Sequence, residues 1–169
     1  DYFYDLPHLP GPGETLAATG MATGLGGKGA NQSVATALAG AELRHIGAIG
    51  PDGDWALERL QSFGVDTRHV RRSERPTAHA LVMVDAQGEN QIVIYPGANM
   101  DQDADAIAEA LNQGAPDDWL ILQNETSQQG HAAKMAKHLG MNVVYSAAPF
   151  DAGAVQAVLA HLTLLIMNE

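Results

Sequence analysis

Hydrophobic positions along this chain keep two rhythms. In one, apolar residues recur at helical spacing and then gather into short runs. Val34, Leu38 and Ala41 share one face of a helix predicted over Ala30–Ala41, with Gly40 near its end. Leu43–Ile49 then reads as a strand. Asp54 is placed to cap a helix carrying Ala56, Leu60 and Phe63, stopped by Gly64. After Asn99 the same rhythm predicts helices over Asp103–Asn112, Ser127–Leu139 (ended by Gly140) and Asp151–Ala160. Strands are predicted between and after them, over Trp119–Gln123, Asn142–Ser146 and Leu162–Met167. Short apolar strands alternating with helices predict an α/β fold, a mostly parallel sheet with helices on both faces.

The second rhythm is extended. Ala78–Val84 and Gln91–Tyr95 are β-rich runs joined by Asp85-Ala86-Gln87-Gly88-Glu89-Asn90, which reads as a hairpin. Within them Leu81 and Met83 share one strand face, and Ile92 and Ile94 share another. The first twenty residues read as irregular or extended, because Pro7, Pro10 and Pro12 forbid a helix. These segments break the helix–strand alternation and predict a separate small sheet.

Composition narrows the function classes. The chain has 169 residues, 46% of them hydrophobic, enough for one sizeable core and unlike a disordered segment. Its formal charge of −11 argues against nucleic acid or an anionic membrane surface as partner, since both require basic patches. The absence of cysteine excludes disulfides and cysteine-ligated zinc. No stretch approaches the ~18 apolar residues of a membrane span, and the opening Asp1-Tyr2-Phe3-Tyr4-Asp5 does not read as a signal peptide. A cytoplasmic location is the expectation. The seven histidines show no H-E-x-x-H or similar spacing, so no metal site is predicted.

Candidate chemistry concentrates in Gly24-Leu25-Gly26-Gly27-Lys28-Gly29-Ala30-Asn31-Gln32. Glycine lets a backbone approach a ligand closely, and a helix start directs unpaired N–H groups at it. Lys28 adds a cation with three donors, and Asn31 adds a donor and an acceptor. Gly24, Gly26 and Gly29 spell the dinucleotide fingerprint G-x-G-x-x-G, but Glu42 precedes the next strand where the fingerprint needs an acid ending it. A P-loop fails too, because position 22 is Ala22 and Lys28 is followed by Gly29. A ligand-free glycine turn and a solvated surface lysine compete with the ligand reading.

The neighbourhood of this loop decides between them. It lies downstream of Leu9-Pro10-Gly11-Pro12-Gly13-Glu14-Thr15 and upstream of Gly47-Ala48-Ile49-Gly50, Gly64-Val65-Asp66-Thr67, Gly88-Glu89-Asn90 and Pro96-Gly97-Ala98-Asn99. In that order and at those spacings the chain resembles the ribokinase-like (PfkB) family of carbohydrate kinases, from Asp1 to Glu169. The resemblance implies a three-layer α/β fold with a small β-sheet lid, here in segments 1–20 and 78–95. It implies an incomplete fold, with the first strand expected before Asp1 and the C-terminal half beyond Glu169. All of residues 1–169 would then be the N-terminal part of a single kinase domain.

The same resemblance implies sugar contacts by Asp1, Gly27, Lys28, Asn31 and Glu125. A frayed terminus is the competing account of Asp1, and a helix-dipole contact that of Glu125. Asn168 and Glu169 resemble the opening of the family's N-E-x-E motif, which organises magnesium and phosphates. The implied cofactors are ATP and Mg2+, with a monovalent cation such as K+ held outside this chain. Nothing in the sequence matches the D-T-x-G-A-G-D segment that carries the general base, so no catalytic residue is expected here and the chain alone is expected to be inactive. Thr77-Ala78-His79-Ala80 departs from the family's usual Thr-Gly and leaves His79 either near the sugar pocket or on the lid's outer face. The implied reaction is ATP-dependent phosphorylation of a sugar, with ribose the expected substrate, in a homodimer formed through the lid. A sugar-binding module without chemistry and a nucleoside kinase are the alternatives.

Overall fold

A computed structural model describes residues 1–167. Its body is α/β. Helix α1 (Lys28–Leu38) leads into strand β3 (Arg44–Ile49), and helix α2 (Asp54–Ser62) leads into β4 (Asp66–Arg72), which runs parallel to β3. Next along the chain come helix α3 (Ala104–Leu111), β7 (Trp119–Gln123), α4 (Gln129–His138), β8 (Asn142–Ser146), α5 (Ala152–Val158) and β9 (Leu164–Ile166). Strands β7, β8 and β9 form a parallel sheet in that order. Four further strands, β1 (Tyr2–Leu6), β2 (Gly20–Thr23), β5 (His79–Asp85) and β6 (Asn90–Tyr95), build a separate sheet ordered β2-β1-β5-β6. No helix of the described residues is long and apolar enough to cross a membrane.

The core forms where α3, α4 and α5 close over β8. Val143, Tyr145, Ala133, Ala136 and Val158 are fully buried there, and Leu120, Leu122 and Leu165 pack against them from the sheet. Alternation then turns Trp119 and Ile121 to the opposite face, where both are exposed. Helix α1 lies on that opposite face, where Ser33 bonds His45 of β3 and Gly29 packs on Gln123 of β7. Helices therefore flank the strands on both sides, with unequal cover. The parallel strands divide into two sheets rather than forming the one expected from sequence, because β3 and β7 share no ladder and a cleft separates them.

Several boundaries differ from the sequence expectation for identifiable reasons. Helix α1 begins at Lys28 rather than Ala30, because Gly27 (φ 91°) makes the break and Lys28 and Gly29 already belong to the first turn. It ends at Leu38, three residues early: Gly40 (φ 85°) donates to Ala37 O and Ala41 N to Thr36 O, the paired bonds of a glycine-terminated helix. Asp54 does not cap α2. Gly53 is the cap, and Asp54 lies in the first turn, where its carboxylate favours the helix dipole and meets Arg72. Strand β4 has no counterpart in the apolar periodicity, and β2 extends past the boundary at residue 20. Helix α4 starts at Gln129 because Gln128 adopts φ 65°. The last helix stops at Val158 and passes into a short 3-10 turn over Leu159–His161.

Candidate functional site

The glycine loop before α1 is the centre of the site. Gly27 takes φ 91°, which side chains resist, and a Cβ there would touch nothing within 4 Å, so glycine is required for backbone conformation alone. At Gly26 the requirement is space, because a Cβ would lie 1.9 Å from Asp1 Oδ2. The loop and the start of β1 are thus in intimate contact. Asp1 N donates to Gly24 O at 2.8 Å, and Gly24 N returns a bond to Asp1 O at 3.1 Å. On the far side Asp1 Oδ1 accepts from Ala80 N of β5 at 3.0 Å, so one carboxylate joins the loop to the four-stranded sheet.

Lys28 opens α1, and its Nζ donates to Glu125 Oε2 at 2.6 Å across 97 residues of chain. Glu125 lies just past the carboxyl end of β7, where parallel sheets place their ligand sites. It holds φ 76°, a left-handed conformation uncommon for a residue with a side chain. Asn31, one turn along α1 from Lys28, is exposed, and its side chain makes no hydrogen bond among the described residues. Asp1, Gly27, Lys28, Asn31 and Glu125 all line one open cleft of about 1420 Å3. That volume joins the polar mouth to the apolar seam between β3 and β7, lined by Ile46 and Ile121, so the whole of it is not a pocket for one small ligand. Asn168 and Glu169 lie outside the described residues.

Residues to which the sequence assigns no role support this mouth from behind. Asn124, buried beside Glu125, donates through Nδ2 to Pro149 O at 2.6 Å and accepts the Tyr145 hydroxyl at 2.6 Å. Burial, and then the charge of Asp151, pushes the Tyr145 phenol up, so it remains a donor. Asp52 accepts both Thr77 N and Thr77 Oγ1 at 2.8 Å, and these bonds hold its carboxyl below the usual range. Thr77 Oγ1 also accepts from Gly50 N, so the end of β3 is fastened to the segment entering β5. Beneath the loop the His45 ring pairs through Nδ1 with Ser33 Oγ at 2.8 Å, and burial pushes its pKa down. No local pattern announces any of these pairs, since each joins separate elements.

One expectation is refined. His79 shares its strand face with Tyr2 and Tyr95, each ring centroid 5.4 Å from its own. Register places Val82, Ile92 and Ile94 on the other face of the strands, and these three line the cleft together with His79. Among the described residues no group of three or more His, Cys, Asp or Glu side chains is gathered to hold a metal ion. The acidic side chains at the mouth are instead engaged with Lys28 and backbone N–H groups.

This arrangement offers hydroxyl-rich ligands a carboxylate at either side, an ammonium and a free amide. Comparison with known proteins finds relatives along most of the chain. A ribokinase of Haemophilus influenzae is 36% identical over 88% of this chain and 50% of its own length. The crystal structure of a ribokinase from Thermotoga maritima superposes with TM-score 0.87 at 32% identity, covering 99% of this chain and 56% of that one. The structure of an Arabidopsis thaliana ribokinase complexed with ribose and ATP gives TM-score 0.79 at 28% identity over 99% of this chain and 56% of that one. The chain spans about half the length of the relatives it matches. The family model for pfkB family carbohydrate kinases matches residues 2–169, and the chain belongs to that family.

Proposed function

We propose that this chain supplies the sugar-binding half of an ATP-dependent carbohydrate kinase, with ribose as its substrate. One observation carries the reading: Lys28 and Glu125, 97 residues apart, meet at 2.6 Å on the mouth that Asp1 and Asn31 also line. Carboxylates accept sugar hydroxyls, while Lys28 and Asn31 donate to sugar oxygens; an analogue lacking a hydroxyl leaves one of these groups unpaired. The mouth therefore selects and orients a sugar. Transfer would break the bond joining the γ-phosphoryl of ATP to ADP and form one to the sugar's primary hydroxyl, the hydroxyl proton passing to a base. ATP and Mg2+, with a monovalent cation such as K+, belong to that reaction. In that reaction the residues lining the mouth position the acceptor sugar.

The four-stranded sheet acts in this reading as a lid, tied to the sugar mouth through the Asp1–Ala80 bond. Its apolar residues support pairing of two lids in a homodimer: Tyr2, Leu81, Val93 and Tyr95 are exposed on one face, and Ile92 and Ile94 on the other. Sedimentation should show a dimer at micromolar concentration that Ile92→Lys or Met83→Lys weakens; a monomer unaffected by both changes would remove the dimer.

Calorimetric titration tests the sugar reading directly. Ribose should bind the chain more tightly than 2-deoxyribose or adenosine, and Lys28→Ala should weaken that binding. Tighter binding of adenosine would favour a nucleoside kinase, and no binding of any of the three would overturn the assignment.

A further inference from the structure

Glu125 occupies a conformation that its own side chain disfavours. Residues in the left-handed region persist when their surroundings over-determine them. The constraint is visible on both flanks. After Glu125, Ser127 N donates to Asn99 O at 3.1 Å and Gln102 N donates to Ser127 Oγ at 3.1 Å. Gln129 Nε2 reaches back to Gln123 O at 3.1 Å, closing the turn between β7 and α4. Before Glu125, Asn124 is held by the two 2.6 Å bonds to Pro149 O and the Tyr145 hydroxyl.

That second anchor has the character of a built device. Tyr145 is fully buried in the core, Asn124 is 6% exposed, and the amide is engaged at both ends. A buried amide left half-paired would be costly, so both bonds must form together, and together they fix where β7 ends. With Asn124 pointing into the core, the next residue must leave on the other side, and the turn at φ 76° aims it at Lys28. We propose that Asn124 and Tyr145 are positioning residues for the Glu125 carboxylate, acting on the sugar through it and not by contact. This inference rests on the sugar-binding reading.

A double-mutant cycle tests it. Tyr145→Phe keeps the buried ring and removes only the hydroxyl, so circular dichroism and the thermal midpoint establish that the fold survives. Its expected effect is a rise in the Kd for ribose of about threefold to tenfold in the wild-type chain and less than about twofold in a Glu125→Gln background. The loss of thermal midpoint should be the same in both backgrounds, because packing does not depend on Glu125. Equal fold-changes in the two backgrounds would overturn the proposal. The backbone chemical shifts of Glu125 and Thr126 supply a readout free of sugar: Tyr145→Phe should move them, and unchanged shifts would also overturn it. If the wild-type chain bound no ribose, the sugar reading would fall, and these shifts would still decide whether Tyr145 sets the Glu125 turn.

Discussion

The β7–β8–β9 body and the four-stranded sheet are both built from apolar strands, yet they are stabilised differently. Around β8 the apolar side chains face helices, and Val143, Tyr145 and Val158 are wholly removed from water. Strand β6, by contrast, leaves Ile92, Val93, Ile94 and Tyr95 exposed, with apolar residues on both of its faces. An alternating strand has one face to bury; β6 has two, and neither is covered. The body is held by its own packing. The sheet is held by its ladder, the Asp1–Ala80 bond and whatever closes on it.

The sharpest way to break this contrast is to place a charge in each region. Ala133, fully buried on α4 among Val143 and its neighbours, cannot hydrate a carboxylate. Ala133→Asp should cost about 3–5 kcal/mol, the usual penalty of an uncompensated buried charge, and abolish cooperative urea unfolding. Val93→Lys, at a site 57% exposed in the single chain, should change the stability of the monomer by no more than about 0.5 kcal/mol. Equal losses would mean that the sheet is packed against something as firmly as the core is.

Lys28 belongs to neither region's packing, and its removal separates binding from folding. Lys28→Ala breaks the pair with Glu125 and removes a charged donor from the mouth. Losing a hydrogen bond to a charged group costs on the order of 1.5–3 kcal/mol, so ribose affinity should fall about ten- to a hundredfold. The unfolding midpoint should barely move, since surface ion pairs contribute little. Asn31→Ala should act in the same direction through the neighbouring turn of α1. Unchanged affinity in both variants would return the loop to a plain turn.

Legibility from sequence divides along the same line. In the body, short apolar runs locate β7 and β8 to the residue: β7 turns Trp119 and Ile121 outward from its packed face, while Val143, Val144 and Tyr145 of β8 are buried in succession. Strand β4 escapes it because Thr-Arg-His-Val-Arg-Arg offers no apolar stripe. It is an edge strand whose order comes from its parallel ladder with β3, a tertiary constraint. The glycine loop stands out because glycines announce close approach; Glu125 is picked out by its place after β7 together with the family resemblance, Asp1 by the resemblance, and the structure brings all three to one mouth. Asn124 with Tyr145, and Ser33 with His45, are illegible: each pair joins two elements through one hydrogen bond, and nothing local marks the partners.

Gly27 sharpens the comparison at the boundary between the two regions. A Cβ at this position meets no atom within 4 Å, so Gly27→Ala tests backbone conformation with no steric clash. Holding alanine at φ 91° should cost about 1–2 kcal/mol, expressed as a lower midpoint and a weakened ribose site. An unchanged midpoint and unchanged affinity would show that the loop relaxes freely and that its conformation does not shape the mouth.

The smallest expected effect is a pH dependence beneath the loop. His45 pairs with Ser33 in a setting whose burial favours the neutral ring, so its folded pKa lies below the ordinary value of 6.5. The unfolded chain then binds this proton more readily than the folded one. Stability is accordingly complete above pH 6.5 and declines as pH falls below it, until the folded ring also protonates. The groups around the ring are neutral: Ser33 bonds it directly, while Gly29 and Gly47 approach it and Gln123 lies beside Gly29. No carboxylate among them compensates the new charge. His45→Phe should therefore flatten the acid side of the stability profile between about pH 7 and pH 5, while the carboxylates of Asp52 and Asp66, both held low, continue to titrate at lower pH. Thermal melts across that range, compared between wild type and His45→Phe, measure the difference. Identical slopes would mean that water reaches the ring and that the ground beneath the glycine loop is less closed than its geometry indicates.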